Sequence, residues 1–271
     1  MARSLLVQFL CIIGLLGLLP VGSVTFRTRS GRSADEDDDP QASSNNLADA
    51  VIENGFVRHI EKSRSVPGSR RNAVVESFFA NSNQASEELR DDIRSRSTQL
   101  TDFLVATRRT LHQHPELMYN EKETSAYVQN VLRELDIPFT TGWAVNTVPN
   151  VIPGKGGYGV VADIGTGRQP CVLLRADMDG LPIVERTEGI EDFKSRNSGR
   201  MHACGHDGHT TMLLGAASLL KEMEDSINGT IRLMFQPAEE GGAGAKRMRE
   251  EGVLELEPKP KHAFGMHLWP T

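Results

Sequence analysis

The sequence predicts an α/β fold in which a mostly parallel sheet carries helices on both faces. Stretches in which apolar residues recur at helical spacing alternate with short apolar runs that are typical of strands. Clusters of His, Cys, Asp and Glu follow the strand-like runs, and ligands bind at that edge of open α/β sheets. These observations together favour a single sheet with a polar site at one edge.

The predicted elements begin near Ser86. Apolar residues between Leu89 and Leu111 recur at helical spacing, and a second helix is predicted over Glu121–Leu135. The later elements are a strand pair at Tyr158–Ile164 and Pro170–Ala176, a helix at Thr210–Met223, a strand at Gly229–Phe235, a helix at Ala243–Glu250 and a strand at Lys261–Leu268.

The residues before this fold are predicted to have other roles. Residues 1–23 are predicted to be a secretory signal peptide, because Arg3 precedes the apolar run Leu5–Leu19 and small residues follow it. An uncleaved anchor helix is the alternative, although the run is short for a membrane span. Residues 24–85 are polar and are predicted to form a disordered linker. We therefore expect the mature protein to reside in the endoplasmic reticulum lumen or outside the cell. After cleavage of the signal peptide, it should not be stably inserted in a membrane.

Charge and cysteine content narrow the function classes. The net charge is −6 and no Lys/Arg block dominates, so nucleic acid is not an expected partner. Removal of Cys11 with the signal would leave Cys171 and Cys204, which are too few for a disulfide framework. Cys171 opens an apolar strand-like run, where a buried free thiol is expected. Cys204 stands among histidines, where a metal thiolate is favoured.

The densest group of reactive side chains is a loop that contains one thiol and three imidazoles. Cys204 and His206 lie two positions apart, so in an extended segment both side chains can reach one ion. The alternative is a helix N-terminus with Asp207 as its cap and solvent-exposed histidines. His209 could simply begin the helix, and His202 is interpreted as structural.

Glu239 and Glu240 are adjacent carboxylates after a predicted strand. One could ligate a metal while the other takes a proton from activated water. The alternative is an acidic pair that caps the following helix.

Asp177 and Asp179 also lie two positions apart, after the strand that ends at Ala176. They could ligate a metal or form a turn, but we favour carboxylates that hold a ligand histidine in its working tautomer. His267, taken alone, would be interpreted as structural. The same interpretation applies to His112 and His114.

These motifs together resemble the M20 metallopeptidase family. The similarity is greatest to its amidohydrolase branch, which includes plant auxin–amino acid (IAA-amino acid) conjugate hydrolases and bacterial hippurate and N-acyl amino acid hydrolases. It covers about residues 99–271 and is carried by Arg108–Leu117, Leu174–Pro182, Met201–His209, Pro237–Gly242 and Gly265–His267. The resemblance implies an α/β catalytic domain with two divalent metal ions and a smaller inserted lid or dimerisation domain.

The resemblance also implies residue roles. The implied metal ligands are Cys204, His206, Glu240 and His267. Glu239 would be the general base that later protonates the leaving amine, and Asp179 would orient the chemistry of the metal site. Mn²⁺ is the metal that family members commonly use, with Zn²⁺ or Co²⁺ in some.

The expected function is metal-dependent amide hydrolysis of a small N-acyl amino acid, such as an auxin conjugate. Residues 86–271 would form the incomplete N-terminal part of the catalytic domain, and by the resemblance we expect the lid, the closing strands and a last ligand histidine to be absent from this chain. We therefore expect this 271-residue chain alone to be poorly folded or weakly active. A non-catalytic product that binds metal or a partner, and a related metal-dependent peptidase or deacetylase, are the open alternatives.

Overall fold

A computed structural model describes residues 91–268, so the predicted signal peptide, the linker and the predicted start of the domain lie outside the described residues. The elements are, in order, a helical segment over 91–99, α1 (Thr101–Gln113), α2 (Lys122–Glu134), β1 (Phe139–Val145), β2 (Gly156–Gly165), β3 (Cys171–Asp177), α3 (His206–Glu222), a 3-10 turn (Glu224–Ser226), β4 (Thr230–Gln236), α4 (Gly244–Glu250) and β5 (His262–Gly265). The predicted α/β class is confirmed. None of the helices in this part of the chain has the length and apolar character that a membrane crossing requires.

The strands form one sheet in the order β1-β2-β4-β3-β5. β2 is antiparallel to both β1 and β4, whereas β3 is parallel to both β4 and β5. Four strands, β1, β4, β3 and β5, therefore run in the same direction and only β2 runs against them, so most strands are parallel in direction although two of the four pairings are antiparallel. The sequence analysis does not predict β1, since the exposed residues 140–142 interrupt any apolar pattern.

The predicted pairing of β2 with β3 is wrong, because β4 lies between them. Gly165 at the end of β2 and Cys171 at the start of β3 are both register partners of Thr230. Neighbouring strands lie about 4.8 Å apart, so the connection over 166–170 has to span only roughly 10 Å. A segment of that length can do so. The glycine-rich turn is thus a short crossover past β4 and not a hairpin.

Both faces of the sheet are covered by helices. In β4, Leu233 and Phe235 point to the face that carries α2 and α3, whereas Met234 points to the face that carries α4. Every residue of α3 from His206 to Ala217 is buried. Burial of each large apolar side chain stabilises the fold by roughly 1.5–3 kcal/mol. The N-terminus of α3 is therefore held inside the molecule.

Candidate metal centre

Four segments of the chain meet at the carboxyl ends of the parallel strands. Three of them follow β3, β4 and β5, which end at the same edge because they are parallel. The fourth precedes α3, whose first residue follows Gly205. Gly205 has a φ of 92°, a left-handed conformation that glycine adopts readily. A Cβ there would lie 3.3 Å from the Leu268 side chain, so the turn also allows close packing.

These segments form a group of five donor side chains, here called the His206 cluster: Cys204, His206, Glu239, Glu240 and His267. The Nε2 atom of His206 lies 3.8 Å from Glu239 Oε2 and 3.7 Å from Glu240 Oε1. Cys204 Sγ lies 3.3 Å from His267 Nε2. Donor atoms of Cys204, His206 and His267 lie within 4.8 Å of one another, as do those of His206, Glu239 and Glu240. His206 is common to both donor groups.

The His206 cluster contains buried polar atoms that the described part of the chain does not satisfy. Within residues 91–268, both ring nitrogens of His206 and Oε1 of Glu240 have no hydrogen-bond partner. A buried polar atom left unpaired costs about 1–3 kcal/mol, and native proteins rarely leave one so. A thiol, imidazoles and carboxylates together suit a borderline divalent ion. The donor set therefore fits a divalent metal.

The electrostatics of the cluster also favour a cation. Burial and the nearby carboxylate of Glu240 raise the pKa of the Cys204 thiol to about 12. Burial acts to lower the pKa of His206, but the carboxylates of Asp179 and Asp177 outweigh it, so the pKa lies above its ordinary value. Carboxylates contribute to both shifts, so negative charge surrounds these two side chains. A bound cation would reverse the effect on the thiol, because a coordinating thiol is deprotonated.

Asp177, His206 and His209 form a third donor group, but hydrogen bonds already occupy both ring nitrogens of His209. The backbone N–H of Leu268 donates to His209 Nε2 at 2.7 Å, so that nitrogen carries no proton. The Nδ1–H of His209 therefore donates to Asp177 Oδ1, at 2.5 Å. The other oxygen of Asp177 lies 2.6 Å from the Arg175 guanidinium. Both nitrogens of His209 are used, and its ring fixes the segment that follows β5.

Asp177 is held as an anion by these partners. Burial acts to raise the pKa of its carboxyl, but the His209 hydrogen bond and the Arg175 charge outweigh burial and hold the pKa well below its usual range. An ionised Asp177 fixes the tautomer of His209.

Asp179 is buried beneath the glutamate pair. Its Oδ1 accepts the backbone N–H of Glu239 at 3.0 Å, and its Oδ2 accepts that of Glu240 at 2.9 Å. Oδ1 also lies 3.3 Å from Nδ1 of His206. Asp179 is part of none of the donor groups found in the described chain. Asp179 thus contacts Glu239, Glu240 and His206, which is the placement that an orienting carboxylate requires. Its role, like those of the two glutamates, stays a prediction.

The alternatives to a metal centre fit this geometry poorly. His202, His206 and His209 are each no more than 4% exposed, so they are not the solvent-exposed histidines of a simple helix N-terminus. The glutamate pair does not cap α4, because that helix begins at Gly244 without a side-chain cap.

A second buried group, here called the His112 cluster, consists of Arg108, His112, Glu185 and Asp207. Nδ1 of His112 lies 2.7 Å from Asp207 Oδ2, and its Nε2 lies 2.9 Å from Glu185 Oε1. Arg108 Nε lies 2.9 Å from the same oxygen of Asp207. Burial acts to lower the pKa of His112, but hydrogen bonds to the two carboxylates outweigh it and raise the pKa. This geometry agrees with the structural role predicted for His112.

The sequence analysis missed one residue that contacts the loop of the glutamate pair, and it left the role of His209 open. Glu121 Oε1 accepts the backbone N–H of Ala238, in the loop that carries the glutamate pair. A glutamate in a polar helix start gives no signal for such a contact. The spacing of His209 did indicate that it lies near the site. It follows His206 by three positions, and residues three apart on a helix share a face.

Fold and site together define a metal-binding α/β domain. Residues 173–271 match the sequence profile of Peptidase family M20/M25/M40. The chain is also similar to proteins and solved structures of that family. The resemblance to the M20 metallopeptidase family and its amidohydrolase branch is thereby confirmed.

Three relatives illustrate the similarity. The chain is 48% identical over 167 residues to IAA-amino acid hydrolase ILR1-like 5 of Arabidopsis thaliana, covering 62% of this chain and 34% of the relative. It is 46% identical over 170 residues to N-acetyl-L-cysteine deacetylase of Bacillus subtilis, covering 60% and 38%. A solved Bacillus subtilis structure described as a dinuclear metal binding peptidase from the M20 family has a TM-score of 0.53 and 40% identity, covering 62% and 43%. The chain thus spans well under half the length of these proteins.

Proposed function

We propose that the whole protein is a metal-dependent amidohydrolase that cleaves the amide bond of small N-acyl amino acids. The observation that carries this proposal is the position of His206, whose buried Nε2 has no hydrogen-bond partner within residues 91–268 and faces Glu239 and Glu240, and whose ring belongs to both donor groups. The similarity to a named amino acid conjugate hydrolase and a named deacetylase supports the same chemistry.

Four residues would hold the metal: Cys204, His206, Glu240 and His267. Two ions are proposed because a similar structure is described as dinuclear. Mn²⁺ is our first choice from the family resemblance, with Zn²⁺ or Co²⁺ as the alternatives that a thiolate ligand favours. A bound divalent ion would supply Lewis-acid chemistry, lowering the pKa of water and stabilising negative charge on the amide oxygen.

The two glutamates differ in accessibility in a way that suits different roles. The side chain of Glu239 is 42% exposed and that of Glu240 is 18% exposed. Glu239 can therefore reach both water and substrate, while its backbone is held by Asp179. In the proposed reaction the Glu239 carboxylate accepts a proton from water and returns it to the nitrogen of the leaving amine.

The substrate class and the location are parts of the proposal. Auxin–amino acid conjugates are proposed because the plant relative is named for them, and acetylated amino acids because the bacterial deacetylase is named for one. The secretory pathway is proposed from the pattern of residues 1–23.

The test compares Glu239→Gln with the parent in the natural full-length protein. Indole-acyl, benzoyl and acetyl amino acids would be offered with added Mn²⁺. The amide cannot accept a proton, so we expect hydrolysis to fall by about 10²–10⁴-fold. Mn²⁺ binding should persist, because Glu239 is not a proposed ligand.

The exposed residue Glu255 gives a matched control, since Glu255→Gln should hydrolyse the substrates at the parent rate. Full activity of Glu239→Gln would contradict the assigned base. A parent that binds metal but hydrolyses none of these amides would favour a non-catalytic role.

A further inference from the structure

The carboxyl group of Glu121 has an unusual placement for its position in the chain. Glu121 is the residue before α2, where a side chain commonly caps the helix, yet it makes no cap hydrogen bond. Glu116 performs that task, accepting the backbone N–H of Glu123 at 3.1 Å and of Thr124 at 2.8 Å. The start of α2 therefore does not require the Glu121 side chain.

The carboxyl group of Glu121 points instead toward the loop that follows β4. Its Oε1 accepts the backbone N–H of Ala238 at 2.7 Å and of Tyr119 at 3.0 Å. Glu121 is fully buried, and its Oε2 has no hydrogen-bond partner within residues 91–268. Burial raises the pKa of this carboxyl to about 8. Because a buried carboxyl group destabilises a fold unless it is well paired, this placement calls for a compensating role.

The loop after β4 is tightly constrained around Ala238. Ala238 has a φ of 56°, and its carbonyl accepts the backbone N–H of Gly244 at 2.9 Å. A Cβ on Gly242 would lie 2.6 Å from the Ala238 Cβ, so the loop has no room to shift inward. Three successive backbone N–H groups are bound by two buried carboxyl groups, because Asp179 accepts the two that follow Ala238.

We propose that Glu121 is a positioning residue of the metal centre, whose Oε1 fixes the backbone at Ala238 and thereby aims the side chains of Glu239 and Glu240. The inference rests on the proposed function, in which Glu239 is the base and Glu240 a ligand. Rotation at Ala238 would displace both carboxylates together. Loss of a group that orients metal ligands typically lowers metal affinity or activity by about 10–100-fold.

The experiment measures Mn²⁺ affinity by electron paramagnetic resonance of the free ion, in the natural full-length protein. Glu121→Leu removes the acceptor, and we expect its Mn²⁺ affinity to fall by about 10–100-fold, with a lower kcat. Glu121→Gln keeps an oxygen acceptor, and its affinity should stay near that of the parent. Glu116→Leu is the matched control: it removes the cap of α2, so we expect a lower Tm with unchanged Mn²⁺ affinity.

The outcomes separate the inference from the proposed function. Parent-like Mn²⁺ affinity in folded Glu121→Leu would overturn the inference alone, and so would a Glu121→Gln variant as weak as Glu121→Leu. If Glu121→Leu does not fold, Glu121→Asp replaces it, because the shorter side chain withdraws the acceptor; parent-like affinity there would equally overturn the inference. A parent that binds none of Mn²⁺, Zn²⁺ and Co²⁺ saturably would overturn the proposed function and the inference with it.

Discussion

His206 and Asp207 are buried neighbours in the first turn of α3, yet they belong to two clusters of opposite character. In the His112 cluster, each ring nitrogen of His112 lies within hydrogen-bond distance of a carboxylate oxygen. In the His206 cluster, Nδ1 of His206 lies 3.3 Å from Asp179 Oδ1 without an aligned hydrogen bond, and Nε2 has no hydrogen-bond partner among residues 91–268. The residue types are similar, so the difference lies in whether the protein itself completes the hydrogen bonding. Because buried polar groups are nearly always paired, an incomplete cluster of metal-binding side chains is suited to a ligand that completes it.

Charge separates the two clusters in the same way. The two carboxylates of the His112 cluster face an arginine and a histidine whose pKa they raise, so each carboxylate has a donor partner. The His206 cluster sets two glutamates beside a thiol, and the thiol pKa rises to about 12. The first arrangement stabilises the fold, whereas the second is suited to a cation.

The largest expected effect comes from His206→Asn, which removes the residue shared by both donor groups. We expect saturable Mn²⁺ binding to be lost, while the metal-free protein keeps or gains stability because an unpaired buried ring is gone. Equilibrium dialysis with metal analysis, together with urea unfolding of the metal-free protein, measures both quantities. If His206→Asn kept the Mn²⁺ affinity of the parent, the contrast drawn between the His206 and His112 clusters would be wrong.

The opposite pattern is expected for His112→Leu. Asp207 and Glu185 would then be left without their shared partner, so the free energy of unfolding should fall by about 3–5 kcal/mol. Mn²⁺ affinity measured on the folded variant should remain within a few-fold of the parent. Stability is read from urea unfolding at fixed pH. A variant that loses metal affinity but not stability would show that the His112 cluster serves the metal centre directly.

A pH dependence is expected from Glu121. Its carboxyl keeps its proton up to a pH of about 8 in the folded protein, whereas its ordinary pKa in the unfolded chain is 4.5. The unfolded state therefore binds fewer protons between these values, and stability falls as the pH rises from 4.5 toward 8. Relative to Glu121→Gln, the parent should lose on the order of 3 kcal/mol over this range. Parallel pH profiles of the two unfolding free energies would contradict the buried placement of Glu121.

The smallest expected effect is that of His209→Phe. The substitution removes the bond to Leu268 and releases the segment that carries His267, so Mn²⁺ affinity should fall by about tenfold. Isothermal titration calorimetry measures this change. His262→Phe on the exposed strand β5 is the matched control and should bind Mn²⁺ as the parent does. Equal affinities for parent and His209→Phe would show that the His267 segment is held without this ring.

The sequence predicted the candidate site better than the sheet around it. Cys204, His206 and the glutamate pair are close in the chain or follow apolar runs, so their spacing and position indicated one edge of a sheet. Glu121 and His112 gave no such signal, because their partners lie far away in sequence: Ala238 is 117 positions from Glu121 and Asp207 is 95 from His112. Contacts of that kind depend on the packing of the whole domain.

The errors in the fold have a similar cause. β1 is largely exposed, so it lacks the apolar alternation by which strands are recognised. The wrong pairing of β2 with β3 arose from taking chain neighbours as sheet neighbours, whereas β4 enters between them later in the sequence. Local patterns indicate which segments are strands, but their order depends on long-range packing.

The most direct test of the central claim, that the His206 cluster is completed by a divalent cation, is a Co²⁺ titration followed by absorption spectroscopy. The parent should bind one or two equivalents saturably, with a sulfur-to-cobalt charge-transfer band that is absent from Cys204→Ser and retained in Cys171→Ser. Absence of saturable binding, or a band that survives in Cys204→Ser, would contradict the account.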